Sequence, residues 1–293
     1  MSIVLIGVFD GVHKGHQEIL NRAKAIADGE KIIALTFDPH PTTVFAPDRV
    51  PTLLTTLSDR IELLKIHNAD QVAVLKFTKE FAGMSPQDFV LKILVEQLGA
   101  TTVVVGENFT YGYKASGNAT TLIQEGKVHG FSVDVLKLQS LGIDVISSTR
   151  IRKLLIEGDV DSARQLLSRP HRLDGVVIHG EARGREIGYP TANLGNLENQ
   201  TIPADGVYAG WLSVGIDRWP AAISIGTNPT FAGVRARQIE AYAIDQIGLE
   251  LYDKSATIEF GWRLRQTLKF DGLAPLLEQM AKDCVRAREL TQA

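Results

Sequence analysis

The chain contains 293 residues, of which 44% are hydrophobic and 22% are charged, and 31 Lys and Arg residues oppose 34 Asp and Glu residues for a net charge of −3. This length suits about two domains of ~150 residues each, and the ordinary composition excludes an intrinsically disordered chain. The balanced charge gives no indication of a nucleic-acid or anionic-membrane partner, although it is compatible with a local basic site.

The chain opens with a short apolar run, residues 3–9, which Asp10 follows at once. This run lacks the basic flank of a signal peptide, and no apolar run in the sequence approaches the ~20 residues of a membrane helix. We therefore expect a protein without a membrane segment, located in the cytoplasm.

Strand-like and helix-like segments alternate through the first half of the chain. Apolar or β-branched runs predict strands over residues 3–6, 31–37, 71–77 and 102–105. Helices are predicted from His16 to a stop at Gly29, around Leu57 with Ser58 as the cap, and from Ser85-Pro86 to Gly99. This alternation predicts a parallel sheet with helices on both faces. Two short helices are predicted to follow, over residues 151–157 and 161–167.

A glycine-rich turn, residues 7–16, joins the first strand to the first helix and reads GVFDGVHKGH. Its glycines at 7, 11 and 15 allow backbone N–H groups to approach a phosphate, and the helix N-terminus supplies positive potential. His13 and His16, three residues apart, point to one side and can donate hydrogen bonds to phosphate oxygens as charge develops. The alternative is a tight turn with two surface histidines, and the position of the motif after the first strand favours the anion site.

A second segment with phosphate-binding character is ISSTRIR, residues 146–152. It places the hydroxyls of Ser147, Ser148 and Thr149 at a helix start, with Arg152 one turn further. Hydroxyls at this position suit a triphosphate, and a guanidinium suits a leaving pyrophosphate. The segment alone would also fit a helix cap with solvated arginines, but its combination with the glycine-rich turn favours ATP.

Beyond residue 168 the pattern changes to short β-like runs separated by turn residues. Strands are predicted over 173–179, 206–214, 219–225, 238–244 and 256–260, with a hairpin turn at 215–217. Leu273, Leu276, Leu277 and Met280 then recur at helical spacing. The sequence predicts an all-β second domain, a small barrel with a C-terminal helix.

The single cysteine, Cys284, excludes an intramolecular disulfide or a cysteine-based zinc cluster, and we expect it to pack in that helix.

The segment 180–193, GEARGREIGYPTAN, has the densest pattern in the second half. Its glycine spacing differs from the dinucleotide-binding fingerprint, and it reads as a basic flap that leads into an extended segment. Thr191 and Asn193 project from one face of that segment, because side-chain direction repeats every two residues. Their oxygens suit Mg²⁺ carried on nucleotide phosphates. The pair alone would equally fit a β-turn followed by polar strand residues.

The first-half motifs resemble a known family. The H-x-G-H turn with I-S-S-T-x-x-R is similar to nucleotidyltransferases of Rossmann-like fold, and the strings at 7–13, 36–41 (TFDPHP) and 106–112 (GENFTYG) resemble the FMN adenylyltransferase module of bacterial bifunctional FAD synthetases. The resemblance implies that FMN phosphate attacks the α-phosphorus of ATP in line and expels pyrophosphate, with His13 and His16 stabilising the transferred group. It implies an ATP site of Gly7, Phe9, Asp10, Gly11, Gly15, Ser147, Ser148, Thr149 and Arg152, and flavin contacts at Asn108 and Phe109.

The second-half motifs resemble the riboflavin kinase module of the same enzymes. The matching strings are 190–193 (PTAN), 205–208 (DGVY), 222–231 (AISIGTNPTF) and 239–242 (IEAY). The resemblance implies that Glu240 is the general base for attack of the riboflavin 5′-hydroxyl on the γ-phosphate of ATP, with Mg²⁺ held by Thr191 and Asn193. It implies nucleotide or flavin contacts at Gly180, Arg183, Gly184, Gly188, Pro190 and Arg265. Asp253 departs from the glycine usual in the family.

The predicted fold is therefore an α/β Rossmann-like nucleotidyltransferase domain, residues 1–168, followed by an all-β small barrel with a C-terminal helix, residues 169–293. The predicted function is conversion of riboflavin to FMN and of FMN to FAD, with ATP and Mg²⁺ at both sites and small molecules as the only predicted partners. One alternative is an FMN adenylyltransferase whose barrel only binds flavin or regulates, and another is a flavin-sensing regulator. The Thr191, Asn193 and Glu240 set counts against the first, and the absence of a helix-turn-helix pattern counts against the second. Oligomeric state is left open.

Overall fold

The computed structural model describes residues 1–137, 140–141, 144–180, 184, 187–197, 199–227 and 237–292. The chain divides into two compact units: the first comprises Met1–Pro51 and Thr55–Ser148, and the second comprises Thr52–Leu54 and Thr149–Ala293. The predicted domain boundary near Ser168 stays a prediction.

The first unit is built on a parallel sheet. Its strands are β1 (Ser2–Ile6), β2 (Lys31–Asp38), β3 (Gln71–Lys76), β4 (Ala100–Gly106) and β7 (Ser132–Leu136), in the order β3-β2-β1-β4-β7. Two short antiparallel pairs accompany it: β5 (Thr110–Tyr111) with β6 (Gly117–Asn118), and β8 (Ser140–Leu141) with β9 (Asp144–Val145). The four predicted strands are confirmed; β7, with the alternating sequence SVDVL, was not predicted.

Helices connect these strands. Their bounds are α1 (Lys14–Ile26), α2 (Thr42–Phe45), α3 (Leu57–Ile66), α4 (Lys79–Ala82), α5 (Pro86–Asp88, continued as a π-helix over Phe89–Gln97) and α6 (Ala119–His129), with a 3-10 turn at Pro47–Arg49 and another at Tyr113–Ala115. The predicted cap at Ser85 is confirmed, since its Oγ accepts from the Asp88 backbone N–H at 3.0 Å. The predicted cap at Ser58 is wrong. The helix begins at Leu57, two residues before the start that a Ser58 cap implies, so Thr56 is the cap and its Oγ1 accepts from the Asp59 N–H at 3.2 Å.

The core of the first unit lies on both faces of the sheet. All of β1 is buried, with Ile3 and Leu5 in one apolar cluster and Val4 and Ile6 in the other. Successive strand residues face opposite sides, so a strand buried along its whole length needs cover on each side. This confirms the predicted arrangement of helices on both faces.

The second unit is a closed antiparallel barrel with helices. Its strands are β10 (His171–Ile178), β11 (Ala192–Gly195), β12 (Gly206–Val214), β13 (Asp217–Gly226), β14 (Gln238–Ala243) and β15 (Ser255–Arg265), ordered β10-β11-β14-β13-β12-β15. Its helices are α7 (Ser148–Glu157), α8 (Val160–Leu167) and α9 (Leu273–Gln292). The predicted barrel, the hairpin between β12 and β13 and the C-terminal helix are confirmed.

The predicted helical spacing of Leu273, Leu276, Leu277 and Met280 is confirmed, since all four residues lie in α9. The buried residues of α9 are Asp283, Cys284 and Ala287, whereas Leu273 is exposed. Leu276 and Met280 instead line a cavity next to the barrel. Cys284 packs in the helix as predicted.

Within the described part of the chain, no helix combines the length and apolar character needed to cross a bilayer.

Candidate active sites

The turn that follows β1 has an unusual backbone conformation. Phe9, Gly11 and Val12 have φ values of +53°, +83° and +39°. Phe9 and Val12 carry β-carbons in this left-handed region, which is sterically costly, so their surroundings must hold them there. Both side chains are buried, and a Cβ at Gly7 would lie only 3.1 Å from the Phe9 ring.

Hydrogen bonds to Asp10 fix the middle of this turn. Its buried carboxylate accepts from the backbone N–H and the hydroxyl of Thr55, both at 3.1 Å, and the Thr55 hydroxyl accepts from the Gly11 N–H at 3.1 Å. Ser148, at the start of α7, donates its hydroxyl to the Asp10 carbonyl at 2.9 Å. The structure therefore brings Asp10, Gly11 and Ser148 together. The Asp10 side chain holds the turn through its hydrogen bonds to Thr55.

His13 and His16 are in direct contact at the start of α1. Their rings stack with centroids 3.7 Å apart at an interplanar angle of 18°, and the Phe9 ring packs edge-on against His16 at 5.2 Å. Gly15 faces the His13 ring, which a Cβ would approach to 3.3 Å. Burial lowers the pKa of His16 well below its usual value, and the neighbouring His13 and Arg60 lower it further. His16 is therefore a neutral imidazole at pH 7, beside a helix N-terminus suited to phosphate.

Arg60 and Thr36 support the same turn, and neither was predicted as a site residue. Both donate to the Val8 carbonyl, Arg60 through Nη1 at 2.8 Å and Thr36 through Oγ1 at 2.9 Å. Arg60 is only 2% exposed. The burial of Arg60 could have been predicted from the sequence, because Arg60 shares the i, i+3, i+4 face of α3 with the buried Leu63 and Leu64.

The predicted flavin residues lie in the loop after β4. Asn108 is exposed, and Phe109 is half-buried with its ring stacked on Tyr111 at 5.5 Å. Since β1 and β4 are adjacent and parallel, this loop and the His13 turn emerge at the same edge of the sheet. Ligands of open parallel sheets bind at that edge.

The last two predicted ATP residues, Thr149 and Arg152, fall in the second unit. Arg152 Nε donates to the Thr52 carbonyl at 2.6 Å. Their role toward ATP, like that of the partly buried Ser147, stays a prediction.

In the barrel, three polar residues form a row across neighbouring strands. Asn193 on β11 pairs with Glu240 on β14, and Glu240 pairs with Ser224 on β13. Directly opposed residues of antiparallel strands point to one face with Cβ atoms about 4.5–5.5 Å apart. Thr191 lies two residues before Asn193, so the predicted metal pair and the predicted base meet on one face.

Two cavities meet at this face. The first lies between the barrel and α9, and its lining includes Thr191, Ser224, Glu240, Tyr242, Arg265, Leu276, Met280 and Asp283. The second, of about 860 Å³, is lined among others by Gly188, Pro190, Thr191, Tyr242, Gln246, Leu249 and Tyr252. Thr191 and Tyr242 border both cavities.

Arg265 is held in the first cavity by Asp283, a residue not predicted for the site. The guanidinium donates to both carboxylate oxygens of Asp283, at 2.6–3.1 Å, and Gln279 donates to the same carboxylate at 2.9 Å. The adjacent Cys284 is buried, which raises the pKa of its thiol to about 11. It is therefore a protonated packing group rather than a nucleophile.

The predicted flap residues lie partly within the described structure. Gly180 packs against the Asn193 side chain and Gly184 against the Tyr189 carbonyl, so that a Cβ at either glycine would overlap its neighbour. Arg183 lies outside the described residues, as do 228–231 of the 222–231 string. Asp253 has a φ of +62°, the left-handed conformation in which glycine is least strained.

The oxygen donors near Glu240 suit a hard cation. Asn193 is buried, and its Oδ1 accepts no hydrogen bond from any residue that the structure describes. Buried polar atoms are nearly always paired, so an unpaired oxygen fits a ligand that arrives with the substrate. Over the described ranges, no cluster of three or more His, Cys, Asp or Glu residues forms a closed metal site. The donor set thus fits Mg²⁺ that brings most of its ligands with a nucleotide.

Comparisons with known proteins cover nearly the whole chain. The model of the FAD synthetase family matches residues 1–150, and that of the riboflavin kinase family matches residues 167–291. The bifunctional riboflavin kinase/FMN adenylyltransferase of Listeria monocytogenes is 40% identical over 287 residues, which cover 96% of this chain and 90% of that protein. The enzyme of the same name from Escherichia coli K12 is 34% identical over 292 residues, covering 98% and 92%.

A solved structure extends this similarity to the fold. It is the crystal structure of a protein named as a macrolide-efflux protein from Streptococcus pneumoniae, with a TM-score of 0.87 and 32% identity. The match covers 98% of this chain and 93% of that one. Both units of the present fold are therefore found together in a crystallised relative.

Proposed function

This chain belongs to the bifunctional riboflavin kinase/FMN adenylyltransferase family, and we propose that its two reactions are divided between the His13–His16 turn and the Glu240 face of the barrel. The protein phosphorylates riboflavin to FMN with ATP and joins FMN to the AMP portion of ATP to make FAD. An adenylyltransferase with a merely binding barrel is not favoured, because matches to both enzymatic families are present.

The observation that carries the kinase assignment is the Asn193–Glu240–Ser224 row where two cavities meet. We assign ATP to the larger cavity, whose volume of about 860 Å³ suits a nucleotide, and riboflavin to the cavity under α9. The flavin cavity is small, about 130 Å³, so the side chains that close it must move when a three-ring flavin enters. The γ-phosphate and the 5′-hydroxyl would then meet beside Thr191.

In the kinase step, Glu240 accepts the proton of the riboflavin 5′-hydroxyl as that oxygen attacks the γ-phosphorus. The new O–P bond forms, the bond to the β-phosphate oxygen breaks, and ADP leaves. Mg²⁺ held by Thr191 and Asn193 would neutralise charge on the transferred phosphoryl group. Arg265, held by Asp283, faces the flavin.

In the adenylyl step, an FMN phosphate oxygen attacks the α-phosphorus of ATP, and the bond to the pyrophosphate oxygen breaks. His13 and His16 donate hydrogen bonds to the phosphate oxygens as negative charge develops, together with backbone N–H groups at the start of α1. Asp10 and Ser148 hold the turn, and Asn108 and Phe109 contact the flavin. No covalent enzyme intermediate is needed, since positioning and charge stabilisation account for the chemistry.

A reciprocal pair of variants tests this division. Glu240→Gln should reduce FMN formation from riboflavin by about 10²–10⁴-fold, the usual contribution of a general base, while FAD formation from supplied FMN stays at the wild-type rate. His16→Ala should show the reverse, with FMN accumulating from riboflavin and little FAD. Chromatography of flavins over time, with ATP and Mg²⁺, measures both reactions. Loss of both activities in either folded variant would contradict separate sites.

A further inference from the structure

Arg60 lies on α3, beneath the turn that carries His13 and His16. Its Nη1 donates to the Val8 carbonyl at 2.8 Å, and its Nη2 lies 3.8 Å from Asp38 Oδ1. The side chain is 2% exposed, whereas that of Asp38 is 45% exposed. A buried arginine is therefore directed at the backbone of the turn, with the Asp38 carboxylate at the edge of ion-pair range.

The Val8 carbonyl lies directly before the part of the turn whose backbone conformation is strained. Phe9, the next residue, and Val12 both have left-handed backbone conformations. Such conformations persist only when the surrounding structure holds them, and Arg60 and Thr36 both donate to this one carbonyl. Movement of Val8 would therefore shift the residues that lead to His13.

Arg60 also supplies charge. A guanidinium stays protonated in proteins, and this one is buried, so solvent screens it poorly. The charged and titratable groups around the histidine pair are His13 on the turn itself, Arg60 on α3, and Asp10 and Asp38 beside Arg60. Burial lowers the pKa of His16 most, and the neighbouring His13 and Arg60 lower it further. The positive charge therefore lies under the surface assigned to ATP phosphates.

We propose that Arg60 is a positioning residue for adenylyl transfer: it holds the Val8 carbonyl, and with it the His13–His16 turn, and adds positive charge beneath the phosphate site. This inference rests on the proposed role of the His13–His16 turn. Arg60 is buried and contacts the Val8 carbonyl and the Asp38 carboxylate, so we expect its effect to reach the reaction through the turn.

The test uses the full-length protein with Arg60→Met and with Arg22→Met as the matched control. Arg22 lies on α1 of the same unit and makes a surface ion pair with Asp134 at 2.6 Å. Arg60→Met should lower kcat/KM for FAD formation from FMN by about 10²-fold, the loss expected when catalytic groups are displaced by about 1 Å. Arg22→Met should leave it unchanged, and riboflavin phosphorylation should be unchanged in both variants.

A second readout separates this role from general support of the fold. NMR titration of labelled histidines should show a higher pKa for His16 in Arg60→Met, because removal of a nearby positive charge makes protonation less costly. Arg60→Lys should keep the pKa low but still slow FAD formation, since a single ammonium cannot reproduce the guanidinium fork. Thr36→Val should slow FAD formation without moving this pKa.

The outcomes distinguish this inference from the function on which it depends. Wild-type FAD formation in Arg60→Met, with His16→Ala inactive, overturns the role of Arg60 and leaves the proposed site intact. Wild-type FAD formation in both variants overturns the site itself. If Arg60→Met does not fold, Arg60→Lys and Thr36→Val decide, and wild-type FAD rates in those two variants overturn the inference.

Discussion

At the scale of single residues, burial decides what each polar group can do. His16 is kept neutral by burial and by two nearby cationic or titratable groups, whereas Cys284 is kept as a thiol by burial alongside Asp283. Asn193 is buried in the row that contains Glu240, and its Oδ1 has no hydrogen-bond partner within the described part of the chain. An unpaired buried amide costs stability, so its presence beside the predicted base favours a role in binding.

The side-chain oxygen of Asn193 is assigned to Mg²⁺, and this assignment can be tested. Replacement of Asn193 by Ala removes an oxygen assigned to Mg²⁺, so riboflavin phosphorylation should need at least tenfold more Mg²⁺ for half-maximal rate, about 1.4 kcal/mol of lost binding. Titration of kinase activity with Mg²⁺ at fixed ATP measures this. FAD formation from FMN, followed in the same preparation, is the control and should keep its Mg²⁺ dependence. An unchanged kinase titration would remove Asn193 from the metal site.

At the scale of elements, α9 is part of the proposed flavin site and not only a cover for the barrel. It brings Asp283 to Arg265, and Leu276 and Met280 to the cavity that contains Glu240. The Arg265–Asp283 pair is largely buried, with side-chain exposures of 18% and 8%. Removal of one partner of such a pair leaves the other charge without compensation.

Asp283→Asn should therefore weaken both stability and flavin binding. We expect the free energy of unfolding to fall by about 3–5 kcal/mol, as for other broken buried ion pairs, and KM for riboflavin to rise more than kcat falls. Chemical denaturation and kinase kinetics measure the two effects. Glu278→Gln is the matched control, because Glu278 pairs with Lys282 at 2.7 Å on the exposed side of the same helix and should change neither quantity. A wild-type KM in Asp283→Asn would contradict the role of the pair.

At the scale of the whole molecule, each unit has its own sheet or barrel and its own proposed site. Helix α8 belongs to the second unit and has four buried residues, Val160, Ala163, Leu166 and Leu167. Burial of each larger aliphatic side chain contributes about 1.5–3 kcal/mol, which for three of them is comparable with the 5–15 kcal/mol stability of a domain. The barrel therefore depends on helices that precede its first strand.

Two fragments test this dependence. Residues 149–293 should fold and phosphorylate riboflavin, whereas residues 170–293, which lack α7 and α8, should unfold at lower temperature or fail to fold. Thermal unfolding and kinase activity of the two purified fragments provide the measurement. Equal stability of the fragments would show that α8 contributes little, and an inactive but folded 149–293 would contradict an autonomous kinase unit.

Some elements of the fold could be predicted from the sequence, and others could not. Apolar and β-branched runs located strands such as β2 and β12 to within a residue, because this signal comes from neighbours along the chain. The predicted cap at Ser58 is wrong by two residues, since Leu57 already has helical geometry and the Thr56 hydroxyl is the one that accepts from the Asp59 N–H. The helical spacing of Leu276 and Met280 correctly predicted α9, whereas the cavity that these two side chains border is formed only when the helix packs against the barrel.

The sequence by itself determined the α/β and all-β halves, the turn after the first strand and the family, since all of these are written in contiguous residues. Only the tertiary structure decided that Arg60 holds the Val8 carbonyl, that Asp283 holds Arg265, and that Asn193, Glu240 and Ser224 share one row. These pairings join residues far apart along the chain. They depend on strand register and burial, which arise when the elements pack together, so no local pattern can carry them.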